Sequence, residues 1–212
     1  TAGSGTSSTH STNRASTTMS VSNATVGTRV RQTKMRFNYQ PGKSQLVMCT
    51  FVLGSGASGI TKRVGYFDES NGLFLQLSGS TLSVVSRSFV TGAPVDNAIP
   101  QGSWNIDNLN GSGPSGITLD LTKSQIFAID FEWLGVGIVR FGFVIDGQIR
   151  YVHQLNNANV LPSVYMSTPN LPLRFEISNS GSGAASSLEH ICATVLSEGG
   201  MDKLGILIST NN

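Results

Sequence analysis

Apolar residues recur at every second position from Gln125 to Leu155. Phe127, Ile129, Phe131 and Trp133 alternate with Ala128, Asp130 and Glu132. Val139, Phe141, Phe143 and Ile145 alternate with Arg140, Gly142, Val144 and Asp146, and Ile149, Tyr151 and Leu155 share the odd positions with His153. A period of two marks strands with one face in a core, so the stretch predicts three consecutive strands. Asp146-Gly147 is a hairpin signal. A two-residue loop there sets Ile145 against Gln148 and Phe143 against Arg150, core against polar. A three-residue loop over 145–147 instead pairs Phe143 with Ile149, Phe141 with Tyr151 and Val139 with His153. Because a one-residue slip inverts a strand, the longer loop with its bulge is the expected one.

The same reading extends along the chain. Residues 29–39 alternate as a strand and Pro41-Gly42 turns it. SQLVMCTFVL is a nearly continuous apolar run, the mark of a central strand. KRVGYFD, LFLQLS and TLSVVSR follow as short strands, joined at Asn71-Gly72 and at Gly79-Ser80. Residues 90–124 lack alternation and are punctuated by Pro94, Pro100 and Pro114. They predict a long surface excursion, anchored to the body by Trp104. SVYMST, LPLRFEIS and SLEHICATVLSE complete the set. About ten short strands with turn signals every 8–12 residues predict an all-β fold: a two-sheet antiparallel β-sandwich, jelly-roll or concanavalin-like.

Residues 1–28 are a Ser/Thr-rich stretch with few core formers. They are expected to be a polar N-terminal arm or linker, ordered against a neighbouring subunit. The sandwich domain is expected over residues 29–200, and residues 201–212, with LGILIST, as the start of a following strand. The chain begins at Thr1 with neither an initiator Met nor a basic-then-apolar leader, so a processed or partial piece of a longer polypeptide is expected.

Charge narrows the function. Charged residues are only 12% of the chain and the formal net charge is +2, which excludes a strongly electrostatic nucleic-acid binder. No run of about 18 apolar residues exists to span a membrane as a helix. Cys49 and Cys192 lie in apolar strand patterns and read as buried thiols, not as a disulfide framework.

Motifs with catalytic associations fail on context. Gly111-Ser-Gly-Pro-Ser-Gly116 fits G-x-G-x-x-G, but no strand precedes it, no helix follows, and Pro114 removes an N–H. Pro41-Gly-Lys-Ser44 ends like a phosphate loop but has Phe37 where the first glycine is required. Asp107, Asn108, Asn110 and Gly111 offer oxygens at a spacing that is not a calcium loop and read as side-chain-stabilised turns. His153 and His190 lack the paired spacing of metal ligands. No cofactor and no metal are expected.

Ala128-Ile-Asp130-Phe-Glu132-Trp133 resembles the signature strand E-I-D-F-E of the jelly-roll glycoside hydrolases. The resemblance implies an acid/base at Glu132 and the middle carboxylate at Asp130, but the nucleophile position holds Ala128. A retaining glycosidase needs both carboxyls, so no hydrolysis is expected. Without the resemblance, Asp130 and Glu132 are a polar strand face that pairs with Arg140 or Arg150.

A longer resemblance runs from Tyr39 to Gly200. FNYQPGKSQLVMCTF, GYFDESNGLFLQL, GPSGITLDLTKSQIFAIDFEWLGVGIVRFGFVIDGQI, VYMSTPNLPLRFEI and SLEHICATVLSEGG are similar to a family of uncharacterised virion structural proteins of tailed phages and large DNA viruses. That resemblance implies a capsid-associated, head-fibre or tail component, located in the virion. Such a component acts as a homo-oligomer that docks onto other virion chains and is not an enzyme. The alternative is a glycan-binding, host-recognising module, with Trp104, Asp130, Glu132 and Trp133 as candidate ligand or interface residues.

Overall fold

The computed structural model describes residues 1–198; the strand start expected at 201–212 lies outside the described residues. Fourteen strands are described: Ala2–Gly3 (β1), Thr6–Ser11 (β2), Ser16–Val21 (β3), Gly27–Gln32 (β4), Gln45–Val52 (β5), Ala57–Phe67 (β6), Gly72–Gly79 (β7), Thr81–Ser88 (β8), Val95–Pro100 (β9), Gln125–Phe131 (β10), Ile138–Ile145 (β11), Gln148–Asn156 (β12), Leu173–Asn179 (β13) and Ser186–Ser197 (β14). They form two seven-stranded antiparallel sheets. Sheet one runs β1-β4-β13-β6-β7-β8-β9, and sheet two runs β12-β11-β10-β5-β14-β3-β2. The fold is the all-β sandwich that the alternation predicts.

The core lies between the sheets. Phe127, Ile129 and Phe131 of β10 and Val139, Phe141 and Phe143 of β11 are fully buried. They face Val64 and Tyr66 of β6, Leu73 and Leu75 of β7, and Phe175 and Ile177 of β13. Each such side chain contributes roughly 1.5–3 kcal/mol on leaving water. Sheet one has a second apolar layer on its outer face, Phe67, Phe74 and Val85. Guanidinium groups roof it: Arg174 stands 5.4 Å from the Phe67 ring centre and Arg87 5.1 Å from that of Phe74. Arginine stems and planes cover apolar surface while their charges stay paired outside.

Five expectations are corrected. The 1–28 stretch is not a separate arm. β2 and β3 extend sheet two beyond β14, with Leu188 opposite Met19 and Met19 opposite Ser8. Met19 and Val21 are buried, and Asn179 and Gly183 bind the backbone of Ser22 and Ala24. An edge ribbon needs only one apolar row, so a Ser/Thr-rich strand pair has the composition of a disordered segment.

The β11–β12 hairpin uses the shorter loop. Ile145 pairs with Gln148, and Asp146 and Gly147 take φ values of 53° and 76°, the left-handed pair that such a turn requires. The parity lost at the turn is restored inside the strand. The register shifts after Gly142↔Tyr151, and Val152 is the extra residue, so Phe141 faces His153 and Val139 faces Leu155. Gly142 permits this, since a Cβ there would stand 2.7 Å from the Arg150 carbonyl oxygen. The bulge leaves the Val152 carbonyl free, and it accepts from the N–H groups of Ile106 and Asp107 at 3.0 and 3.1 Å.

The 90–124 excursion contains β9, paired with β8 from Ser88↔Val95 to Ser83↔Pro100, whereas SVYMST forms no strand. Cys49 is buried, but Cys192 is exposed, and both are free thiols.

Candidate functional site

The four residues singled out in the sequence do not converge. Trp104 is buried: its Nε1 donates to the Ile99 carbonyl at 3.1 Å and its ring lies 6.3 Å from that of Phe143. It anchors the excursion, as expected. Asp130 is on the outer face of sheet two, only 2% exposed. It is ion-paired to Arg140 and accepts from the Tyr151 hydroxyl at 3.0 Å. Burial, and then the Asp130 charge, push that hydroxyl up to about 12. The Arg140 guanidinium stacks 4.7 Å from the Tyr151 ring centre. Asp130 is thus engaged in a structural pair, the polar-face reading. Ala128, at the nucleophile position, is fully buried.

Glu132 and Trp133 line a depression of about 110 Å³ with Tyr39 and Val136. That is well below the ~300 Å³ at which small-molecule sites begin. The Trp133 indole is held by the Met166 carbonyl at 2.9 Å. The candidate calcium oxygens are occupied by turns: Asp107 accepts from the N–H groups of Leu109 and Ser115, and Asn110 from Ser112.

A larger feature lies where the sheets end. β9 closes sheet one and β12 closes sheet two. The gap between these edges, floored in part by β8 and walled by the 157–165 segment, is a groove of about 730 Å³. Among the described residues no Asp, Glu, Lys or Arg lines it. Its polar groups are amides, hydroxyls and one imidazole, and its rim carries the exposed aliphatic side chains of Val95, Val160 and Leu161.

The groove is built by specific contacts. The Asn105 side chain caps the β12 edge, donating to the Gln154 carbonyl and accepting from its N–H, both at 2.9 Å. The Asn105 N–H donates to His153 Nδ1 at 3.1 Å. The neutral ring therefore carries its proton on Nε2, which is buried without a partner among the protein atoms. Burial lowers the His153 pKa and keeps it neutral near pH 7. The segment 157–165 is fixed at both ends: Asn157 Nδ2 donates to the Gly137 carbonyl at 2.8 Å, and the Tyr165 hydroxyl to the Glu132 carbonyl at 2.7 Å. With those contacts made, the side-chain amides of Asn97, Gln154 and Asn156 have no protein partner among the described residues.

Sequence reading missed this site. Asn97 lies in VDNAIP, which has no alternation, and Asn156 in a polar run that reads as a connection. Only His153, a polar residue on an apolar parity, carried a signal.

No protein-family model matches the chain, and neither does any curated protein. Among solved structures, a legume lectin-like domain from Entamoeba histolytica is similar at 9% identity, over 92% of this chain and 88% of that one, with a TM-score of 0.49. The binding domain of Paraclostridial Mosquitocidal Protein 1 is similar at 13% identity, over 91% of this chain and 43% of that one, with a TM-score of 0.48. The Emp47p carbohydrate recognition domain is similar at 12% identity, over 91% of this chain and 86% of that one, with a TM-score of 0.43.

Proposed function

We propose that the chain is a non-enzymatic binding module for a neutral oligosaccharide, held in the groove between β9 and β12. The observation that carries this reading is the groove's lining: the side-chain amides of Asn97 on β9 and Asn156 on β12 are unpartnered, and among the described residues no charged side chain lines it. An amide both donates and accepts, which matches the hydroxyls of a sugar. The aliphatic rim suits the C–H faces of a pyranose. An anionic ligand would find no countercharge there, and desolvating its charge would be costly. The groove volume lies within the ~300–1,000 Å³ usual for ligand sites. The His153 Nε2–H is a further donor at the groove floor.

A glycan array followed by calorimetry tests the reading. Hits confined to uncharged oligosaccharides are expected, with Asn97→Ala and Asn156→Ala each weakening the best hit by roughly 5- to 30-fold, about 1–2 kcal/mol per lost hydrogen bond. An array with no hits, or with only sialylated or sulfated ones, contradicts it.

The virion role implied by the longer resemblance is a second proposal: a homo-oligomer docked on other virion chains. It is favoured by the sheet edges β1, β9 and β2, each paired on one side only among the described residues. Such edges are templates for strands of another chain. A monomer by light scattering at high concentration counts against it.

A further inference from the structure

On the opposite side of the sandwich, β4 of sheet one faces β14 of sheet two around a second cavity of about 380 Å³. Its walls are Leu173, Phe175 and Ala193, with His190 and Arg31 beside them. Arg31 lies opposite Phe175 in the β4–β13 register. Arg14, Arg36, Arg63, Arg87, Arg140 and Arg174 are each ion-paired. Arg31 has neither an ion pair nor a hydrogen bond among the described residues. The centre of the His190 ring lies 4.0 Å from that of Phe175, the rings tilted by 41°, and its Nδ1 is buried without a partner among the described residues.

We propose that this cavity is a second site, for a small monocarboxylate with an apolar body: the carboxylate on Arg31, the body against Phe175 and Ala193. A guanidinium presents a planar fork that matches a carboxylate bidentately. The apolar wall distinguishes the ligand from a bare oxyanion. His190 titrates low, at about 4, because of burial and then the Arg31 charge. The imidazole is therefore neutral near pH 7, and among the described residues Arg31 is the one cation that lines the cavity. The site differs from the oligosaccharide groove in place, charge and ligand, and does not depend on it.

The test uses the full chain near pH 7, titrated with octanoate, octanamide and inorganic phosphate. Octanoate is expected to bind at least tenfold more tightly than either of the others, and its addition at that pH to shift the His190 C2–H resonance. Arg31→Gln should bring octanoate down to the octanamide level while leaving oligosaccharide binding unchanged. Ala193→Met, which fills the cavity and keeps Arg31, should also abolish octanoate binding. Equal binding of octanoate and octanamide, equal binding of phosphate, no octanoate binding at all, or an Arg31→Gln variant that binds as the parent does would each overturn the proposal.

Discussion

Lys62 is the residue least expected in its place. It is 2% exposed on the inward row of β6, and its ammonium is held by the carbonyls of Leu53 and Ser55 at 2.5 and 3.2 Å. Among the described residues no carboxylate pairs with it, and desolvation lowers its pKa to about 8. Its ordinary value is 10.5, so between about pH 8 and 10.5 the unfolded chain binds the proton that the folded chain has lost. Stability contributed by this group therefore rises with pH across that window, by on the order of 3 kcal/mol in all. Urea unfolding of the parent and of Lys62→Met at pH 7.5 and pH 10.5 should show the parent gaining on the variant by that order. Parallel changes would refute the assignment. Period two puts Lys62 on the parity of Ile60, Val64 and Tyr66 and Arg63 on that of Thr61 and Gly65, but a lysine on an apolar row does not by itself announce a buried ammonium. That depends on which residues β6 pairs with, Leu77 and Ile177 for Lys62.

At the scale of elements, the strands with strong apolar alternation were legible and those with weak alternation were not. β10 and β11 follow from Phe127, Ile129, Phe141 and Phe143 alone. The hairpin that joins β11 to β12 was misread because a bulge five residues past the turn does what a longer loop would do, and local pattern cannot distinguish the two. β2 and β3 were misread because an edge ribbon buries little: Met19 and Val21 are the apolar side chains it commits to the core. Their burial is nevertheless worth roughly 3–6 kcal/mol together, and a domain has only about 5–15 kcal/mol in total. A chain lacking residues 1–25 should melt roughly 6–24 °C lower than the parent by calorimetry. An unchanged melting temperature would restore the dispensable arm.

For the whole molecule, the two outer faces are largely committed to structure. Sheet one carries its arginine roof over Phe67 and Phe74, and sheet two its Asp130–Arg140–Tyr151 cluster. The gaps between sheet edges are left for ligands. Both candidate sites therefore join residues far apart in sequence, Asn97 with Asn156 in one case and Arg31 with His190 in the other. No motif of fixed spacing announces such a pair. Trp104 was placed correctly as an anchor. It stands behind the groove without lining it, which is as near as the sequence alone came.

The most direct measurement is chemical-shift mapping of the tightest neutral oligosaccharide on the full chain. The account predicts perturbations centred on Asn97, Ile99, Asn105, Gln154 and Asn156. Perturbations centred instead on the outer face around Asp130 and Tyr151, or no neutral oligosaccharide that binds at all, would contradict it.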